Sequence, residues 1–175
     1  MPDLPVAVAV AVAVVDAAEH GPILGSRRFS WADESACQRW AEVLATRPAL
    51  RDAYIELHGP LGAGKTTFVR HLLRALGVEG RIKSPTFAVL EPYTVASLAI
   101  SHFDFYRFKD PREWADAGFR DLFAAPGLKL AEWPDHAAGA LPLPDLRLHI
   151  TPADQDDRRD VLAEALTPRG RELLP

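Results

Sequence analysis

The spacing of apolar positions switches between period two and period three to four along the chain, and each switch marks an element. From Trp31 to Arg47, Trp40, Val43 and Leu44 recur at helical spacing behind Ser30 or Asp33 as a cap, and Pro48 closes the segment. A first helix is predicted there. Residues 53–59, AYIELHG, form a short apolar run ending in glycine, the pattern of a buried parallel strand. From Lys65 to Leu76 the pattern becomes amphipathic, with Phe68, Leu72, Leu73 and Leu76 on one face and Gly77 as the stop.

Further along, TFAVLEPYTV and SLAISHFDFYRF read as two strands joined at Ala96 and Ser97, most simply an antiparallel hairpin. Residues 111–123 open on Pro111 and carry Trp114, Phe119, Leu122 and Phe123 as the anchors of a helix. GLKLAEW (127–133) is a strand ending in an acid, and PDLRLHIT (144–151) alternates as a strand does. Arg158–Leu166 fits strand and helix equally, and the tail from Pro168 suits a short helix. Residues 16–30, with EHGPILGSRR, lack a period and are expected to form a loop. Strands outnumber helices after the first unit, which predicts an α/β domain with a mixed parallel and antiparallel sheet.

A length of 175 residues, 48% of them hydrophobic, suits one well-buried domain and is short for two. That domain is expected over 31–175, with 1–30 as a low-complexity extension. The run Val6–Val15, VAVAVAVAVV, is about half a membrane span, and Asp3 precedes it with no Lys or Arg. It fits an extension or an added strand better than a signal peptide or a membrane anchor. A net charge of −4 speaks against a protein that grips nucleic acid unaided. The single cysteine, Cys37, rules out an intrachain disulfide and points to a reducing, cytoplasmic setting. The six histidines lack the i, i+4 pairing of a helical zinc site.

The chemistry concentrates in HGPLGAGKTT, residues 58–67, where Gly59–Thr66 satisfies G-x-x-x-x-G-K-[ST] at every defined position. Between a strand and an amphipathic helix, such a loop curls so that successive N–H groups and the positive helix end face a phosphate. Gly59, Leu61, Gly62, Ala63, Gly64, Lys65, Thr66 and Thr67 are therefore the expected nucleotide-binding residues, Lys65 reaching the β- and γ-phosphates and Thr66 ligating Mg²⁺. Two acids stand at strand ends, where α/β sheets bind ligands. Asp104 closes SLAISHFD in the manner of a Walker B element, and Glu132 closes GLKLAE. Asp104 is expected to hold Mg²⁺ through water, and Glu132 to ligate the metal or orient the attacking water. Thr86 in KSPTF lies between loop and Walker B, where a threonine can sense the γ-phosphate; an ordinary Ser-Pro turn is the alternative.

Taken in order, GPLGAGKTTFVRHLLRALG, IKSPTFAVLEPY, HFDFYR and LAEWP resemble the TsaE (YjeE) family over residues 31–151. The resemblance implies a three-layer P-loop fold with a mixed sheet, and a weak ATPase of tRNA threonylcarbamoyladenosine synthesis that uses ATP and Mg²⁺. It implies TsaD and TsaB as protein partners, reset by hydrolysis between turnovers, with tRNA met mainly through their complex. Lys65, Thr66, Thr86 and Asp104 match the family's loop lysine, metal ligand, switch threonine and Walker B-like acid. Glu132 and Trp133 match its E-W pair, implicated in magnesium binding and activity. Pro60 stands where the family commonly has an acid, and Cys37 where its first helix has a threonine.

The main rival is a P-loop small-molecule kinase, which needs an arginine-bearing lid. Arg158 and Arg159 are available, but DQDDRRD reads as a solvated turn. A GTP-driven switch lacks its guanine-reading N/T-K-x-D motif. Direct tRNA binding would draw on Arg70, Arg74, Arg81, Lys83, Arg107 and Lys109, a basic set that partner contacts explain as readily.

Overall fold

The computed structural model describes residues 21–110, 112–154 and 157–175. In chain order they form β1 (Gly25–Trp31), α1 (Glu34–Ala45), a 3₁₀ turn (Pro48–Asp52), β2 (Tyr54–His58) and α2 (Lys65–Ala75). The hairpin β3 (Leu90–Val95) and β4 (Leu98–Asp104) follows, then α3 (Arg112–Asp116), α4 (Phe119–Ala124) and β5 (Leu128–Glu132). A second 3₁₀ turn (Pro134–Ala137), β6 (Leu146–Pro152), β7 (Arg159–Ala165) and α5 (Pro168–Leu173) complete the chain. The strands make one sheet in the order β1-β7-β6-β2-β5-β4-β3. β6, β2, β5 and β4 run parallel at its centre; on one side β7 pairs antiparallel with β6 and β1 antiparallel with β7, and on the other β3 pairs antiparallel with β4. This is an α/β fold of the P-loop type with a mixed sheet.

Period-two alternation sorts the side chains of the central strands onto two faces. Ile55 and Leu57 of β2, Leu98 and Ile100 of β4, and Leu128 and Leu130 of β5 join Phe68, Leu72 and Leu73 of α2 and Ala41 and Leu44 of α1 in one core. Tyr54, Phe103 and Ala131, from the alternate positions, pack with Phe105, Phe108, Trp114 and Phe119 in a second. Helices α1 and α2 therefore cover one face, and α3 and α4 part of the other. Trp31 stacks on Phe68 at 5.8 Å, and Trp40 lies 5.3 Å from the same ring, pinning β1 and α1 to α2. Each such burial contributes roughly 1.5–3 kcal/mol. The alternation has a further consequence. Continuing along the α2 face, β4 presents His102 and Asp104 after Ile100, and β5 presents Glu132 after Leu130.

Several expectations change. The loop expected over 16–30 gives way to a strand from Gly25, which pairs with β7 from Gly25↔Ala165 to Trp31↔Arg159. Residues 16–20 of that expectation, and the run Val6–Val15, lie outside the described residues. The sheet thus takes in residues before 31, and Trp31 belongs to it rather than to the first helix. Asp33, not Ser30, caps α1, its Oδ1 accepting the Ala36 N–H at 2.8 Å. The single helix expected over 111–123 is two short ones, because Gly118 at φ 72 turns the chain left-handed between them. The ambiguous segment 158–166 is strand β7, where cross-strand pairing on both sides overrides local preference. Among the described residues no helix is long and apolar enough to cross a membrane.

Candidate functional site

β2 delivers the chain into the glycine loop, and α2 carries it out. At the entry, Gly59 has φ 147, and a Cβ there would lie 2.3 Å from the Ile150 carbonyl oxygen. Only glycine fits both the conformation and the space. Lys65, first residue of α2, folds its side chain back over the loop and donates from Nζ to the carbonyls of Gly59 at 2.6 Å and Pro60 at 2.9 Å. Burial lowers its pKa from the ordinary lysine value, opposed by the charges of Glu132 and Asp104. The Trp133 ring lies 4.0 Å beneath the same ammonium.

The two strand-end acids sit side by side, Asp104↔Glu132 being paired in register between β4 and β5. Both are buried. Thr66 donates its hydroxyl to the Glu132 carboxylate, whose two oxygens lie 3.0 and 2.9 Å away. Asp104 Oδ2 accepts from Ser84 Oγ at 2.5 Å and from Thr86 Oγ1 at 3.1 Å, and its Oδ1 accepts the Tyr106 N–H at 2.9 Å. Each carboxylate is thereby aimed by its own hydroxyls. Leu61, Gly62, Ala63, Gly64, Lys65, Thr66, Thr67, Thr86, Asp104, Glu132 and Trp133 all line one cavity of about 340 Å³, with Ser84 and Tyr106. Gly59 stands at the base of the loop.

Besides Tyr106, three side chains join the site that sequence reasoning did not assign. His102 is fully buried and bonds through Nε2 to Glu132 Oε1 at 2.8 Å, while its Nδ1 has no partner among the described residues. Its signal was its place two residues before Asp104, hence on the same face of the strand. Ser84, two residues before Thr86, is the shorter of the two contacts to Asp104. Arg159 corrects the solvated-turn reading of DQDDRRD: it opens β7, and its Nε donates to the Ala63 carbonyl at 2.9 Å. No local pattern could reveal a contact across 96 residues.

A second cavity, about 130 Å³, lies beside the loop, lined by Trp31, Asp33, Glu34, Cys37, Ala63, Gly64, Thr67, Asp157 and Arg159. Ala63, Gly64 and Thr67 are common to both cavities, so the loop forms the ridge between them. Burial, helped by the Glu34 charge, pushes the Cys37 thiol up to about 12. It is a neutral wall, not a nucleophile.

The oxygen donors of Thr66, Asp104 and Glu132 suit a hard cation. Among the described residues no group of three or more His, Cys, Asp or Glu side chains makes a self-contained metal site. Two carboxylates and a hydroxyl beside a phosphate loop match the way Mg²⁺ is held, jointly with substrate oxygens.

Comparison with known proteins follows the same lines. The family described as "Threonylcarbamoyl adenosine biosynthesis protein TsaE" matches residues 31–161. A tRNA threonylcarbamoyladenosine biosynthesis protein TsaE from Haemophilus influenzae is 36% identical over 137 residues, 78% of this chain and 85% of that protein. Its namesake from Bacillus subtilis is 36% identical over 104 residues, 59% of this chain and 65% of that one. The crystal structure of Bacillus subtilis YdiB superposes with a TM-score of 0.70 at 26% identity, covering 85% of this chain and 91% of the other.

Proposed function

The chain belongs to the TsaE family, and from that membership we propose that it is the Mg²⁺-dependent P-loop ATPase of tRNA threonylcarbamoyladenosine synthesis. In this reading it hydrolyses ATP to ADP and phosphate to reset a TsaD–TsaB complex that performs the threonylcarbamoyl transfer. One observation carries the proposal: Lys65, Thr66, Asp104, Glu132 and the switch threonine Thr86 converge on a single cavity at the loop.

The loop amides and the positive end of α2 bind the phosphates. Lys65 exchanges the Gly59 and Pro60 carbonyls for phosphate oxygens, a charge-assisted contact stronger than the neutral-acceptor ones it replaces. Thr66, Asp104 and Glu132 are the residues that would hold Mg²⁺, which supplies charge neutralisation at the phosphate oxygens. Thr86 and Ser84, bonded to Asp104, couple the segment before β3 to that site. The second cavity, past the ridge of the loop, is open space that the nucleoside end of ATP would enter. Leu61 and Phe87 are 78% and 84% exposed. Large apolar side chains left in water beside a site suit a partner-docking face. Through that face the protein meets TsaD–TsaB, and tRNA mainly through the assembled complex.

The test is ATPase activity of the purified protein alone, then with TsaB and TsaD. Stimulation by the pair that disappears in Lys65→Ala is expected. ADP formation that needs an added small metabolite, with no response to the pair, would make the protein a kinase instead.

A further inference from the structure

Arg159 makes a contact that the ATPase reading does not use. It stands at the start of β7, in register with Trp31 of β1 and Pro152 of β6, so its backbone is held from both sides. Its Nε donates to the Ala63 carbonyl at 2.9 Å, and its Nη1 to the Arg158 carbonyl at 3.0 Å. The guanidinium is therefore tied to its own strand and to the loop at once. It lies beside Gly64, where an added Cβ would meet the Arg159 Nε at 3.9 Å, an ordinary contact.

A trans peptide is a rigid plane whose C=O and N–H point in opposite directions. The described residues contain no cis bond. The Ala63 carbonyl faces Arg159, which lines the second cavity. The Gly64 N–H, across the same plane, must then point away from Arg159, toward the side where Lys65, Thr66 and the two acids lie. Ala63 is itself held, its side chain fully buried and its N–H donating to the Pro60 carbonyl at 3.0 Å. The far side of the plane is freer, because Gly64 at φ 105 takes a conformation open to glycine.

We propose that Arg159 is a positioning residue of the phosphate loop: by holding the Ala63 carbonyl on the β7 side, it aims the Gly64 amide at the phosphate. The inference rests on the nucleotide-binding reading above and adds to it a residue outside the loop motif. Arg suits the task because its fork fixes two carbonyls in one plane, which the point charge of a lysine does not. Arg158 provides a control: it pairs with Asp160 at 3.0 Å on the surface.

The experiment titrates the full-length protein calorimetrically with ADP and with inorganic tripolyphosphate, and follows the Gly64 amide by ¹⁵N NMR. Wild type, Arg159→Met, Arg159→Lys and Arg158→Met are compared. In Arg159→Met, affinity for both ligands should fall about tenfold, the loss of one well-aimed hydrogen bond to a charged group. The Gly64 amide resonance should move before any ligand is added. Arg159→Lys should lose several-fold and Arg158→Met nothing. Unchanged tripolyphosphate affinity in Arg159→Met overturns the inference, whether or not ADP binding falls, because a loss confined to ADP would mean contact with the nucleoside. If the Met variant does not fold, Arg159→Lys decides: wild-type affinity together with an unmoved Gly64 resonance overturns the inference. A wild-type protein that binds neither ligand removes the nucleotide reading and this inference together; a binding wild type with unaffected variants removes the inference alone.

Discussion

The Lys65 ammonium lies 4.0 Å from the centre of the Trp133 ring while it donates to the carbonyls of Gly59 and Pro60. Trp133 holds that place at φ 55 and ψ 46, a left-handed conformation that costs a residue with a Cβ about 1–2 kcal/mol. The strain orients the indole beneath the lysine immediately after Glu132. Trp133→Ala should weaken ADP binding by about 1 kcal/mol, and Trp133→Phe by less, as expected for a partly desolvated cation–π contact. Calorimetric titration with ADP checks this; equal affinities in wild type and Trp133→Ala would show that the ring does not serve the lysine.

His102 orients Glu132 from a fully buried position. Replacing it with leucine removes the donor while keeping an apolar side chain in the core. The Mg²⁺ concentration for half-maximal ATPase should rise about tenfold, in the range seen when partners of metal ligands are lost. A Mg²⁺ titration that superposes on wild type would assign His102 to packing alone.

His58 connects the end of β2 to the turn after Trp133, with Nε2 3.0 Å from Glu56 and Nδ1 3.5 Å from Asp135. Burial alone would lower its pKa, but the bonds to Asp135 and Glu56 outweigh it and raise the imidazole from 6.5 to about 9. The stacked His149 ring, 4.8 Å away, shifts down through burial and the His58 charge. Between 6.5 and about 9 the folded chain holds a proton at His58 that the unfolded chain has lost. The His58 contribution is thus complete below 6.5 and fades as pH rises through about 9. Urea denaturation should show wild type losing about 2 kcal/mol more than His58→Gln across that window. Parallel curves for the two proteins would contradict the coupling.

Gly170 in α5 packs against the Asp145 backbone so closely that a Cβ would fall 1.8 Å from its carbonyl oxygen. Backbone cannot yield as a side chain can. Gly170→Ala should destabilise the fold by about 3 kcal/mol in urea denaturation, a large overpacking cost. No residue of α5 lines the cavity at the loop, so ADP affinity of the folded protein should stay at the wild-type value.

Phe87→Ser removes an exposed apolar group that supports no core. Melting temperature and basal ATPase are expected to hold, while stimulation by TsaD–TsaB falls. Full stimulation in the variant would place the docking face elsewhere.

Much of this molecule is local, and local features are legible in a sequence. Glycines before a lysine and threonine specify a loop conformation through sterics alone, and the 3.6 period of Phe68, Leu72 and Leu73 specifies the buried face of α2. The acids at 104 and 132 were legible because apolar strands end where a parallel sheet opens to its ligand. The family blocks bound these fragments into one family and one fold, and those two the comparisons uphold.

What the chain order does not carry is register. That Asp104 stands beside Glu132 depends on how β4 aligns with β5, and a slip of one residue would turn one acid to the opposite face. Strand β1 was read as a loop because GSRRFSW has no strong period of its own; it is a strand because β7 supplies its hydrogen-bond partners. The helix broken at Gly118 follows from the same limit, since Trp114 and Phe119 meet Phe105 only after folding. Arg159 is the extreme case: its meaning lies wholly in the Ala63 carbonyl, 96 residues earlier. Sequence determined which groups can hold a phosphate, because that chemistry belongs to residue types at short spacing. Tertiary structure alone decided which carboxylate, histidine and arginine stand within reach of them, because contact between distant segments is settled by the packing of the whole sheet.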